Sequence, residues 1–121
     1  MTDFGSVSIG ILLGKVLDDV VVGSDYITFV CSDGQKYQLY HSQDCCESVY
    51  IEEVIGDWED LIGNPLVLVE ESTNTDNPPK DADSFLWTFY KFATINGYVD
   101  VRWLGESKGY YRERVDFRRI K

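Results

Sequence analysis

Apolar and polar positions in this chain alternate in short runs and do not form helical stripes. Residues 16–22 are apolar and largely β-branched apart from Asp18 and Asp19, up to Gly23-Ser24-Asp25. The alternating run Tyr26–Cys31 then meets Ser32-Asp33-Gly34-Gln35 and resumes over residues 36–41. Alternation on both sides of an Asp-Gly pair predicts a hairpin, because both turn positions tolerate positive φ. Its register puts Tyr37, Leu39 and His41 on one face and Gln38 and Tyr40 on the other.

The middle of the chain breaks that rhythm. Residues 57–62 predict a short helix, with Asp57 as its cap, acids in the first turn, Gly63 as a left-handed stop and Pro65 beyond it. Residues 49–54 fit a strand or a helix equally. Residues 66–69 read as a buried strand, and residues 70–84 (EESTNTDNPPKDADS) as a flexible loop and the one candidate linker. The last third reads as a three-stranded meander. Residues 85–95 pass through Asn96-Gly97 into 98–104, and Glu106-Ser107-Lys108-Gly109 leads into 110–120. The expectation is one α+β, β-rich domain over residues 1–121, an antiparallel sheet of hairpins with at least six strands and one or two short helices.

Composition narrows the class. At 121 residues and 44% hydrophobic, the chain is long and apolar enough to bury a core without disulfide or metal staples. No run approaches the ~20 apolar residues of a membrane span. The acid at Asp3 and the glycines among the first apolar residues do not fit a signal peptide. Three cysteines, two of them adjacent at Cys45 and Cys46, make a poor disulfide framework. A reduced, cytoplasmic protein is expected.

Charge adds an asymmetry. The chain carries a net −10, yet seven of its eleven Lys and Arg lie in the last 22 residues. Seven bases against four acids make that stretch +3, while four bases against seventeen acids make the preceding 99 residues −13. A field of that sign repels nucleic-acid polymers and anionic membranes, but a local arginine cluster still holds a small anion by bidentate hydrogen bonds. In the last predicted strand Tyr111, Val115 and Phe117 face the core. Tyr110, Arg112, Arg114, Asp116 and Arg118 face the other way, beside Tyr98, Asp100 and Arg102 of its neighbour. Arg, Asp and Tyr on one sheet face can stack a base and clamp phosphates. The same residues also make an ordinary solvated face of Arg–Asp pairs, which is the more common outcome.

The segment His41-Ser42-Gln43-Asp44-Cys45-Cys46 offers zinc ligands, or a Cys46–His41 nucleophile and base. Adjacent cysteines converge poorly on one tetrahedral centre, and no second ligand cluster exists. A small metal-dependent enzyme using His41, Asp44 and Cys46 is therefore a distant possibility. No Gly-rich phosphate loop, HExxH or GxSxG is present. No cofactor is expected, and binding is favoured over catalysis.

Two stretches carry a resemblance. Residues 37–71 (YQLYHSQDCCESVYIEEVIGDWEDLIGNPLVLVEE) and 87–117 (WTFYKFATINGYVDVRWLGESKGYYRERVDF) resemble a family of small, largely uncharacterised proteins common in phages and prophages. The size, the β-rich pattern and the Arg114-x-Asp116 of the last strand are also similar to phage Thoeris anti-defence sponge proteins. That similarity implies a non-catalytic protein that sequesters a cyclic ADP-ribose-type signal or a cyclic oligonucleotide between protomers. It implies a homo-oligomer, with Phe89 (or Tyr90), Asn96, Arg114 and Asp116 as ligand contacts. Residue chemistry adds Arg102, Tyr110 and Arg112. Arg112 and Arg114 would hold phosphates, Asp116 a ribose hydroxyl, and Phe89 or Tyr110 the base. The alternative is an acidic DNA mimic of the anti-CRISPR kind that blocks a host defence nuclease.

Overall fold

A computed structural model describes residues 3–6, 8–42, 47–76, 78, 84–107 and 113–120. Its strands are β1 (Asp3–Ser6), β2 (Leu17–Val22), β3 (Tyr26–Cys31), β4 (Lys36–Tyr40) and β5 (Glu47–Gly56), followed by β6 (Leu68–Asn74), β7 (Ser84–Thr94), β8 (Gly97–Ser107) and β9 (Asp116–Ile120). They form a five-stranded sheet in the order β1-β9-β4-β3-β2 and a four-stranded sheet in the order β5-β8-β7-β6. Two short 3₁₀ turns, Ile9–Leu12 and Trp58–Leu61, accompany them. The expected β-rich fold of antiparallel hairpins with short helical pieces is the fold that forms.

Local chemistry explains the parts that matched. Between β3 and β4, Gly34 takes φ +89° and Asp33 Oδ1 accepts the Gln35 N–H at 2.9 Å. Lys15 Nζ lies 2.7 Å from Asp33, which lowers the carboxyl's pKa and raises that of the ammonium. Asp57 caps the second 3₁₀ turn by accepting the Glu59 N–H at 3.0 Å. One turn suffices there to bury Leu61, and the chain leaves it extended at Ile62.

Three expectations give way to pairing. The ambiguous residues 49–54 lie in β5, which takes the free edge of β8 through a register shift between Ile51 and Glu53. With β7 on its other side, β8 has no edge left, so β9 cannot continue the meander. It crosses to the other sheet and pairs with β4 and β1. That strand begins at Asp116, and residues 113–115 before it are irregular. The third concerns residues 70–74, expected as loop. They form most of β6 and pair with β7 along their length, because ladder bonds satisfy the backbone whatever the side chains are. The β7–β8 turn consists of Ile95 and Asn96, one residue ahead of the expected Asn-Gly turn.

The inner faces of the two sheets meet in a single core. Ile27, Phe29, Tyr37, Leu39 and Phe117 come from one sheet, and Val49, Tyr90, Phe92, Val99, Val101 and Trp103 from the other. The Phe29 and Phe92 rings lie 5.2 Å apart across the interface. Cys31 is a free thiol buried in this core, and burial pushes its pKa up to about 11. Cys45 and Cys46 lie outside the described residues. Among the described residues, no helix is long and apolar enough to cross a membrane.

Candidate functional site

Alternation along β6, β7 and β8 gives the four-stranded sheet two different surfaces, and each carries a hollow. The inner hollow, about 450 Å³, opens at the seam between the sheets. Glu71 and Thr73 of β6 and Leu86 and Thr88 of β7 form one wall. Residues 114–117 form the facing wall, with Ser8 and Ile9 at the first 3₁₀ turn.

Its polar groups are held in place by buried partners. Tyr90 is buried and donates from its hydroxyl to Glu71 Oε2 at 2.6 Å. Burial, and then this bond, hold the phenol well above its ordinary pKa, so it stays a donor and orients the carboxylate. Thr88 is 2% exposed, and its hydroxyl finds no hydrogen-bond partner among the described residues. A buried polar atom without a partner is costly.

Arg114 and Asp116 reach the seam through a close backbone approach. A Cβ at Gly105 would stand 2.0 Å from the Glu113 carbonyl oxygen, so only glycine lets residues 113–115 lie across β8. Ser107 then donates to Glu113 Oε2 at 2.6 Å. His41 secures the next residue: its Nδ1–H donates to the Arg114 carbonyl at 2.8 Å. The other ring nitrogen of His41 lies 3.1 Å from Glu47 Oε2, and Asp116 Oδ2 is 3.8 Å from Nδ1. With its side chain 1% exposed, this histidine joins the ends of β4, β5 and β9. Its Nδ1 is taken up by a backbone carbonyl, which ties the Arg114 segment to the end of β4. Among the described residues no group of three His, Cys, Asp or Glu side chains is placed to hold a metal ion. Asp44, Cys45 and Cys46 lie outside those residues.

The outer hollow, about 310 Å³, is built from two rows that run across the sheet. One row is Ser72, Phe89, Arg102 and Glu53, and the next is Glu70, Lys91, Asp100 and Ile55. Arg102 is neutralised here. Its Nε donates to Glu52 at 2.9 Å, its Nη2 contacts both Glu52 and Glu53, and its guanidinium lies 5.1 Å from the Trp87 ring centre.

The expected site residues therefore separate. Arg114 and Asp116 line the seam, whereas Phe89 and Arg102 line the outer hollow on the other side of the same sheet. Asn96 sits at the tip of the β7–β8 turn, roughly 20 Å along the strand from Thr88. Tyr110 and Arg112 fall outside the described residues. Glu71, Thr73 and Thr88 were not read as site residues. Glu71 and Thr73 lie in the segment whose composition predicts a loop, and Thr88 in the predicted strand 85–95, where nothing local marks a threonine as a ligand contact.

Residues 11–117 match a family described as a domain of unknown function (DUF7448). That span is most of the chain, which therefore belongs to this family. No curated protein and no solved structure matches it.

Proposed function

We propose that this protein is a phage-encoded anti-defence protein. On this reading it binds a nucleotide-derived immune signal, of the cyclic ADP-ribose or cyclic oligonucleotide type, and sequesters it without cleavage. The observation that carries the reading is the seam hollow. Arg114, Asp116 and Glu71 line a space that Thr88 closes from the sheet side. The two carboxylates would accept ribose hydroxyls. Arg114, exposed at the lip, would meet a phosphate by a charge-assisted hydrogen bond. One arginine against two carboxylates gives no field that would hold a long nucleic-acid strand.

The engagement of His41 supports binding over cleavage. One ring nitrogen is given to the Arg114 carbonyl and the other faces Glu47, so neither serves a hydroxyl nucleophile in the hollow.

Calorimetric titration with cyclic ADP-ribose isomers and cyclic di- and trinucleotides tests the proposal. Saturable binding, with the ligand recovered intact after the protein is denatured, is the expected result. Recovery of hydrolysed ligand would make the protein an enzyme, and no binding across the panel would end the sequestration reading.

A further inference from the structure

The outer hollow has a chemistry of its own. Its two resident cations lean away from its centre onto rings in the flanking rows. Arg102 lies over Trp87 at 5.1 Å and Lys91 over Tyr98 at 5.5 Å. Phe89, between them, has no cation over its face among the described residues. Three carboxylates ring that face. Glu53 shares Arg102 with Glu52, while Glu70 makes no ion pair or side-chain hydrogen bond among the described residues. Asp100 Oδ1 is closed off from solvent without a hydrogen bond, and Lys91 Nζ stands 3.8 Å from it, beyond hydrogen-bond reach. With Glu52 counted, four acids outweigh two bases around a half-buried aromatic ring.

We propose that this hollow is a second binding site, for a small organic cation. The occupant is an alkylammonium or a single-ring aromatic cation that lies on Phe89, with its charge toward Glu70 and Asp100. A ring face attracts a cation through its quadrupole, and carboxylates at the rim add direct attraction. An anion is disfavoured here, because Arg102 is already held by two carboxylates. The site faces away from the seam and does not depend on what the seam binds.

The test is a titration of isotope-labelled protein with benzyltrimethylammonium chloride, read from backbone amide shifts against a sodium chloride control. Neutral benzyl alcohol serves as the uncharged probe. The expected result is saturable shifts confined to residues 53–55, 70–72, 89–91 and 100–102, weaker at high salt and absent with benzyl alcohol. Phe89→Leu keeps the apolar volume and should weaken binding by about three-fold, the size of an exposed cation–π contact. Glu70→Gln lies on an edge strand and should weaken it by about two-fold, which gives an independent reading if Phe89→Leu perturbs the fold. Arg114→Ala should leave binding unchanged. Shifts that never saturate, that benzyl alcohol reproduces, or that survive both variants at full strength would overturn the site.

Discussion

The seam and the outer hollow share β6 and β7, yet opposite sides of the same strands make them chemically unlike. Thr88 turns inward and Phe89 outward, Glu71 inward and Glu70 outward. The inner side is backed by the second sheet, which buries Thr88 and Tyr90 and lets Tyr90 orient the exposed Glu71 at 2.6 Å. The outer side is backed by solvent, and its charges settle by pairing with one another, as Arg102 does with Glu52 and Glu53. A charged residue on a sheet is therefore informative about ligands only once its backing is known. Arg102 and Arg114 look equivalent in the sequence, but one is neutralised within the chain and the other stands at the lip of a hollow.

Removing the packing that both surfaces share should have the largest effect. Phe92 is buried against Phe29, and Phe92→Ala should cost roughly 3–5 kcal/mol in a denaturant titration. Both hollows should then lose binding together. Loss of only one would mean that the two surfaces do not depend on a common core.

Next comes the contrast between the arginines. Arg114→Ala should weaken binding of the seam ligand by about 30-fold or more, since a hydrogen bond to a charged group is worth roughly 2–3 kcal/mol in a partly desolvated site. Its stability should change by under about 1 kcal/mol. Arg102→Ala should leave seam affinity unchanged and strengthen the organic cation at the outer hollow, because Glu52 and Glu53 are released. Equal losses at the seam from both variants would erase the distinction between the faces.

Tyr90→Phe sharpens the comparison on the inner side. It frees Glu71 from its oriented position and should cost about 1–2 kcal/mol of stability, with seam affinity several-fold weaker and the outer site untouched.

The smallest expected effect is a pH dependence confined to the core. Burial disfavours the Cys31 thiolate, so its folded-state pKa of about 11 lies above the ordinary 9.0. The stability from keeping this thiol neutral is complete below pH 9.0 and is lost as pH rises toward about 11. Denaturation curves across that window should fall less steeply for Cys31→Val than for the parent. Identical slopes would show that the thiol is not shielded.

Much was legible in the chain itself. The Asp33-Gly34 hairpin, the Asp57-capped turn and the inward Val115 and Phe117 follow from short-range rules, and each appears where those rules put it. Backbone torsions, caps and period-two burial depend on neighbours a few residues apart, so the sequence by itself determined a β-rich fold of antiparallel hairpins. It did not determine which edge each strand would join. β5 closed β8, β9 was sent to the other sheet, and polar residues 70–74 became a strand through pairing with β7. Those long-range pairings alone placed Arg114 and Asp116 beside Glu71 and Thr88, and set Phe89 and Arg102 on the far side of the sheet. Local propensity contains no term for a partner strand tens of residues away, which is why the elements were readable in advance and the site was not.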